Sequence, residues 1–396
     1  MNILSEIQRL EGDMVAWRRH LHANPELGFE EHETAAFVAG KLRGWGIETA
    51  TGIGRTGVVG TLRGRHRGNR SIGIRADMDA LPMQEARPLP HASRVPGCMH
   101  GCGHDGHTAM LLGAARALAA DPDFSGTVHF LFQPAEEGRG GALAMLADGL
   151  FDRFPCDEIY AVHNSERPLG QVVVYDRSVA AAADRFTIRI EGRGGHAATP
   201  HLCVDPIPVA ARLLLDMEAL PTRLTDAAAP AVVTVGSIRA GEAFNTIPDT
   251  ATITGTVRCF DPEVRARLEE SIRRRAANHA EMAGATARVE YETLFAPTVN
   301  TPEMAAHLAA AAADVVGERL LVRNPPPEMG SEDFSFMLQQ RPGCYFLLGQ
   351  GDDDHRYVAH DVNYDFNDAI LTIGASLWVT LVRQRLSPEP FTQADR

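Results

Sequence analysis

The sequence is poor in basic residues, in cysteine and in long apolar runs. Its 38 lysines and arginines are outnumbered by 51 aspartates and glutamates, and the formal net charge is −13. Nucleic acids and anionic membrane surfaces call for basic patches, so we expect no nucleic-acid partner and no membrane partner. No stretch approaches the roughly 18 consecutive apolar residues that a membrane-spanning helix needs.

Signals for secretion and for disulfide bonding are also missing. Residues 1–30 lack the basic start, the apolar run and the small-residue cleavage site of a signal peptide. Six cysteines in a chain of 396 residues do not amount to a disulfide framework. Both absences predict a cytoplasmic location, where a reducing environment would leave Cys98 and Cys102 free to act as thiolates.

What the chain does contain is a dense cluster of ligand-type side chains between residues 98 and 107. Its members are two cysteines, three histidines and one aspartate: Cys98, His100, Cys102, His104, Asp105 and His107. Thiolate and imidazole suit zinc and related ions, and three glycines let the backbone bend close to a metal. A helix is predicted from Thr108 to Ala120, so Cys102 lies just before its positive end, which lowers the pKa of a thiol.

A closed structural zinc site is one interpretation of this cluster. Cys98, Cys102, His104 and His107 would supply its four ligands. The ten-residue span leaves little chain between the ligand pairs, and a closed site does not account for acids and histidines elsewhere. A catalytic metal site that shares its ligands with other segments is the better interpretation, with Cys98, His100 and His107 supporting the loop.

Those other segments are three short apolar strands that end in acid–base or ligand-type side chains. The first ends in two aspartates, the second in two adjacent glutamates and the third in a histidine: Asp77, Asp79, Glu136, Glu137 and His163. Ligands gather at the carboxyl ends of parallel strands in α/β sheets, so these residues are expected to meet in one site. One of the adjacent glutamates can bind metal while its neighbour faces the substrate.

The pattern of helices and strands predicts two domains. An α/β domain is expected from residues 1–183 and 294–396. Residues 184–293 follow the order β-α-β-β-α-β, which predicts an inserted ferredoxin-like domain.

In the first predicted helix, residues 3–22, His20 and His22 are interpreted as histidines facing its negative end. The chain after Leu386 is expected to fray.

Several motifs spread over nearly the whole chain resemble those of one enzyme family. They are RRHLHANPELGFEE, RADMDALPM, CMHGCGHDGHTAML, FQPAEEG, GRGGHAATPH followed by DPI, AFNTIPD, MGSEDFSFML and YDFNDAI. In this order they are similar to aminoacylase-like amidohydrolases of the M20 metallopeptidase family, in the branch with hippurate hydrolases and auxin-conjugate hydrolases. The resemblance implies a zinc-exopeptidase-like catalytic domain, with a central, mostly parallel sheet and helices on both faces, and an inserted domain that serves as lid and dimer interface.

The resemblance also implies a centre of two divalent metal ions. Five residues match its ligands: Cys102, His104, Glu137, His163 and His360. Thiolate and imidazole favour zinc, with manganese, cobalt and nickel as alternatives because availability as well as ligand type decides occupancy. Glu136 matches the general base, and Asp77 and Asp79 match carboxylates beside the metals, with Asp79 counted among the catalytic residues.

On the inserted domain, His196 and Asn245 match residues that reach the substrate, the histidine from the other subunit of a homodimer. The implied reaction is hydrolysis of the amide bond of a small N-acyl amino acid such as a hippurate-like compound. A dipeptidase of the same family and an inactive metal-dependent binding protein are the alternatives. Two runs, residues 164–168 after His163 and residues 359–363 before Tyr364, depart from the usual pattern of this branch and are expected to line the pocket.

Overall fold

The computed structural model describes residues 1–226 and 230–388, so most of the chain after Leu386 lies outside the described residues. The helices are α1 (Ser5–Gln8), α2 (Glu11–Ala23), α3 (His32–Gly44), α4 (His104–Ala120), α5 (Gly141–Ala147), α6 (Leu150–Arg153), α7 (Pro206–Glu218), α8 (Leu220–Leu224), α9 (Pro262–Met282), α10 (Pro302–Val316), α11 (Phe334–Leu338) and α12 (Leu371–Arg385). The strands are β1 (Glu48–Ile53), β2 (Gly57–Arg63), β3 (His66–Asp77), β4 (Ser125–Gln133), β5 (Glu158–Pro168), β6 (Val172–Val174), β7 (Ser178–Ala180), β8 (Ala182–Glu191), β9 (Gly195–His196), β10 (Ala231–Ala240), β11 (Thr246–Ile247), β12 (Thr250–Cys259), β13 (Thr286–Phe295), β14 (Thr298–Val299), β15 (Leu321–Arg323) and β16 (Gly343–Gly351).

Contacts divide the described chain into two compact units. Unit 1 comprises residues 1–179, 299–327 and those from 333 onward, and unit 2 comprises residues 180–298 and 328–332. Within the described ranges, none of the helices combines the length and the apolar character that a membrane crossing requires.

Unit 1 is built on an eight-stranded sheet in the order β1-β2-β4-β3-β5-β16-β6-β15. The four central strands, β4, β3, β5 and β16, run parallel to one another, whereas β1 and β2 add an antiparallel edge. This mixed sheet with a parallel centre confirms the predicted α/β class. Parallel central strands place all their carboxyl ends along one edge, which is where ligand sites form in α/β folds.

The side chains of the central strands point alternately to the two faces of this sheet, and both faces are buried. In β4, Val128, Phe130 and Phe132 belong to the core cluster that includes α2, α4, α10 and α12. Leu131 points into a second cluster, formed with α5, α6 and α11. Successive side chains of a strand point to opposite faces, so a strand that is apolar at every position is covered on both sides, as the predicted helices on both faces require.

Unit 2 has a four-stranded antiparallel sheet in the order β10-β12-β8-β13. Along the chain its main elements follow the order β8, α7, β10, β12, α9 and β13, which is the β-α-β-β-α-β pattern of a ferredoxin-like fold. The buried apolar side chains of α7 and α9 and those of the sheet form one core cluster. β10 is left as an edge strand with alternating exposed positions.

Candidate metal centre

The candidate site lies at the carboxyl ends of neighbouring parallel strands. Asp77, the last residue of β3, is paired in register with Gln133, the last residue of β4. His163 lies in β5, on the other side of β3. The turn after β4 leads to Glu136 and Glu137, and Ala135 within it has a φ of 53°, a conformation that residues other than glycine rarely adopt. Such residues are often found at functional sites.

The start of α4 supplies two further candidates. The helix begins at His104, four residues before the predicted Thr108, so Cys102 precedes it by only two residues. Gly103 between them has a φ of 97°, and a side chain there would collide with the amide of Asn164 and the hydroxyl of Tyr364. Only glycine fits this position, because it allows the positive φ and leaves room for both polar groups.

Two sets of ligand-type side chains meet at this point and share Cys102. Cys102, His104 and His163 form one set, and Cys102, Glu137 and His360 form the other, with all ligand atoms of a set within 4.8 Å of one another. The Sγ of Cys102 lies 3.3 Å from His163 Nε2, and Glu137 Oε1 lies 3.0 Å from His360 Nε2. The five residues predicted as ligands are thus brought together in unit 1.

Hydrogen bonds leave one ring nitrogen of His104 and one of His163 suited to a metal. Nδ1 of His104 bonds Asp79 Oδ1 at 3.1 Å, while its Nε2 is buried and has no hydrogen-bond partner. Nδ1 of His163 bonds the backbone oxygen of Asn164 at 2.7 Å, so Nε2 turns its lone pair toward Cys102. An oxygen acceptor on the far nitrogen is the usual arrangement of a metal-binding histidine, so the residues fit a metal centre.

Nearby anionic groups favour protonation of two of the ligand histidines, His104 and His360. Burial lowers the pKa of His104, but the nearby Asp77 and Cys102 outweigh it and hold this pKa well above its ordinary value. Hydrogen bonds with Cys102 and Glu137 raise the pKa of His360 to about 10. Because a ligand must bind a metal in its deprotonated form, divalent cations would displace these protons and take over their role.

The pKa of the Cys102 thiol is raised, and the prediction that the helix would lower it is wrong. Burial of the whole side chain is the largest cause, and the Glu137 carboxylate adds to it. The prediction considered the dipole of α4 and left out the cost of placing a thiolate away from water. A nearby cation would reverse the balance, since metal binding deprotonates a coordinating thiol.

Glu136 lies next to these sets without belonging to either of the two that contain Cys102. Its side chain is only 7% exposed, and its carboxylate forms a further group with His104 and Glu137. The backbone N–H of Asp333 donates to Glu136 Oε1 at 3.3 Å. Asp79 has a different position: it bonds His104 through one oxygen and accepts from the backbone N–H of Glu137, at 3.0 Å, through the other.

Supporting residues form a second layer around the ligands, in which His107 and Asp77 were predicted from the sequence and the roles of Asn164 and Tyr364 were not. His107 bridges Asp77, at 2.6 Å, and the side chain of Asn164, at 2.8 Å. The amide of Asn164 donates to the Tyr364 hydroxyl at 2.7 Å. Asn164 is only 5% exposed and joins His107 to Tyr364 inside unit 1.

His22 also differs from its predicted role at a helix end. It is fully buried and bonds Asp105 at 2.9 Å and Glu85 at 3.3 Å. Burial opposes its protonation, but the hydrogen bonds to these two carboxylates raise its pKa to about 9. His22 therefore carries a charge that neutralises Asp105, the residue after His104.

His196 and Asn245 lie in unit 2, on a short two-stranded ribbon. Thr246 of β11 pairs with His196 of β9. The backbone N–H of Ala197 donates to the backbone oxygen of Asn245 at 3.1 Å. The N–H of Ala198 donates to His196 Nδ1, so the ring hydrogen of the neutral imidazole is on Nε2. Both side chains are exposed, and His196 is arranged as a hydrogen-bond donor.

The family model described as Peptidase family M20/M25/M40 matches residues 73–384. The chain belongs to peptidase family M20. This M20 chain is 39% identical over 389 residues to a hippurate hydrolase of Campylobacter jejuni, a match that covers 98% of this chain and 100% of the relative. It is 38% identical over 378 residues to IAA-amino acid hydrolase ILR1-like 2 of Arabidopsis thaliana, covering 94% and 85%.

A solved structure supports the same assignment of the M20 chain. Bacillus subtilis YXEP, a dinuclear metal binding peptidase of the family, superposes with a TM-score of 0.83 at 32% identity, covering 96% of this chain and 99% of that one. The predicted family and fold are therefore confirmed. The M20 chain is an enzyme of the amidohydrolase type.

Proposed function

We propose that this M20 enzyme hydrolyses the amide bond of small N-acyl amino acids with the help of two divalent metal ions. The observation that carries the proposal is that Cys102 belongs to both ligand sets, as a thiolate shared by two cations would. Hippurate and conjugates of indole-3-acetic acid with amino acids, the substrates named for two relatives, are N-acyl amino acids. Zinc fits the thiolate and imidazole donors, with manganese, cobalt and nickel as alternatives.

Each ligand set would hold one ion, and Asp79 would keep two ligands in place. Cys102, His104 and His163 would bind the first ion, and Cys102, Glu137 and His360 the second. When bound, the ions polarise the amide carbonyl and lower the pKa of water. Asp79 orients His104 and the backbone of Glu137, so it acts on the reaction through these ligands.

Glu136 is assigned the proton transfers. Its carboxylate is nearly buried, close to the ligand atoms, and absent from the two sets that share Cys102. It would take a proton from the attacking water and pass it to the nitrogen of the leaving amine, so that the carbon–nitrogen bond breaks without expelling an amide anion. The products are a carboxylate and a free amino acid.

His196 and Asn245 are assigned to the substrate. The Nε2–H of His196 would donate to the oxyanion that forms when water adds to the carbonyl. Asn245, on the same ribbon, would bind a polar group of the substrate. The enzyme is proposed to act in the cytoplasm, without a nucleic-acid or membrane partner.

The test is a comparison of substrates on protein whose metal content is measured. We expect turnover of hippurate and other N-acyl amino acids, with slower turnover of a free dipeptide. The free ammonium group of a dipeptide would lie close to the cations, where like charges repel. Faster turnover of the dipeptide would favour the dipeptidase alternative, and no turnover of any amide by fully metal-loaded protein would favour a binding protein.

A homodimer formed through unit 2 is proposed, with His196 acting in the partner's site. Unit 2 exposes several apolar side chains that a partner could cover: Leu202, Leu215, Ile238 and Phe244, the last 99% exposed. It also leaves β10 as an unpaired sheet edge. Exposed apolar patches and free edges are typical of protein interfaces.

Mixed dimers test this arrangement. Co-expressed His196→Ala and Glu136→Gln chains should regain about a quarter of wild-type activity, because half of the dimers would be mixed and each mixed dimer would hold one complete site. Each variant alone is expected to be nearly inactive. If His196 acts within its own chain, the mixed dimers contain no complete site and activity stays at the level of the separate variants.

A further inference from the structure

Arg75 is a buried arginine in β3, two residues before Asp77, and it is 1% exposed. Its Nη1 donates to Asp77 Oδ2 at 2.7 Å, its Nη2 to Asp333 Oδ1 at 3.1 Å, and its Nε to Gln133 Oε1 at 2.9 Å. One planar guanidinium thus holds two carboxylates and an amide in fixed directions.

The first branch of this network leads to Glu136. Asp333 Oδ1 also accepts from Gln133 Nε2 at 2.7 Å, and Asp333 Oδ2 accepts from the backbone N–H of Ala142 at 2.9 Å. Because both carboxylate oxygens of Asp333 are held, its backbone is held as well. The N–H of this backbone donates to Glu136 Oε1. The direction of the Glu136 carboxylate therefore depends on the anchoring of Asp333.

The second branch leads to the ligand His104 and to the supporting residue His107. Asp77 binds His107 through Oδ1, and its Oδ2, which accepts from Arg75, lies 3.7 Å from the buried Nε2 of His104. The same guanidinium therefore contacts the Asp77 carboxylate beside His104 and the carboxylate of Asp333, whose backbone N–H donates to Glu136.

Stability alone does not explain such a network. Removing charged groups from water costs several kcal/mol per ion, and well-packed apolar residues of similar volume are often as stable or more so. We propose that Arg75 and Asp333 are positioning residues that hold the proton-transferring carboxylate of Glu136 in a fixed place relative to the metal ligands. This inference rests on the proposed function, since it takes Glu136 as the base.

Asp333 variants test the first branch. Asp333→Ala keeps the backbone N–H but removes the carboxylate that binds Arg75, Gln133 and Ala142. We therefore expect kcat to fall on the order of 10- to 100-fold, with KM and metal content unchanged. Asp333→Asn has a single acceptor oxygen, so its NH2 group faces either the Ala142 N–H or the donors of Arg75 and Gln133, and its kcat should lie between those of Asp333→Ala and the wild type. Arg75→Lys keeps the charge, but a compact ammonium cannot reproduce the fork, so its kcat should fall like that of Asp333→Ala.

Arg385→Gln is the matched control. Arg385 pairs with the buried Glu158 at the first residue of β5, so its loss breaks a salt bridge of unit 1 at the opposite end of that strand from the site. It should lower the melting temperature and leave kcat unchanged. Metal content, melting temperature, kcat and KM are measured on the same preparation of each full-length, metal-loaded variant.

The inference is overturned if Asp333→Ala keeps kcat within about twofold of wild type, or if kcat falls only in proportion to lost metal or lost folded protein. If Asp333→Ala does not fold, the same criteria apply to Arg75→Lys. Wild-type turnover of N-acyl amino acids and its loss in Glu136→Gln are measured first. Failure there overturns the proposed function, whereas success there with an active Asp333→Ala overturns this inference alone.

Discussion

Replacing Glu136 by glutamine is expected to leave metal binding intact and to reduce kcat on the order of 1,000-fold. Glutamine has nearly the same size and can still accept from the Asp333 N–H, so the local structure should persist. It cannot take a proton from water and return it to the leaving amine. The measurement is kcat for hippurate with metal content determined on the same sample.

The neighbouring residue provides the control for this substitution. Glu137 belongs to a ligand set with Cys102 and His360, so Glu137→Gln should lose metal together with activity. The two adjacent glutamates would then have different roles, because Glu136→Gln loses turnover and Glu137→Gln loses metal. A fully active Glu136→Gln enzyme would show that another group transfers the proton.

Cys102→Ala is expected to lose both metal ions and nearly all activity. Cys102 is the one residue common to both ligand sets, whereas His163 and His360 each belong to one of them. Bound cations stabilise the negative charge of the transition state by several kcal/mol. Their loss corresponds to a rate reduction on the order of 1,000-fold or more.

Metal stoichiometry distinguishes the shared ligand from the others. His163→Ala and His360→Ala should each weaken one site, so each should retain more metal than Cys102→Ala under the same dialysis. Treatment of the wild type with a chelator should give the same loss of activity, reversed by adding back zinc, manganese, cobalt or nickel. Equal metal loss in all three variants would contradict a shared thiolate.

The sequence was sufficient for the fold class because the central strands are apolar at nearly every position. Such strands must be covered on both faces, and this requirement alone predicts an α/β sheet between helices. Local boundaries were less accurate. The sequence predicts the start of α4 at Thr108, whereas the structure begins the helix at His104. Gly106 is accommodated because its missing side chain makes room for the Phe366 ring.

The supporting residues of the site could not be predicted because their partners are far apart in the chain. Arg75 and Asp333 are separated by 258 positions, and no local pattern connects them. For His22, by contrast, the sequence does contain a sign that it has buried partners. Arg18 and His22 lie one helical turn apart, and both are buried, where Arg18 bonds Asp365 and Asp368. Two polar residues on the apolar face of a helix indicate buried partners.

The order of the ligands along the chain has a consequence for how the enzyme is made. All three residues of the set Cys102, His104 and His163 have been synthesised before unit 2 begins at residue 180. His360 follows only after unit 2 is complete. The second cation site therefore cannot be completed until nearly the whole polypeptide has been synthesised, whereas the three ligands of the first all precede unit 2.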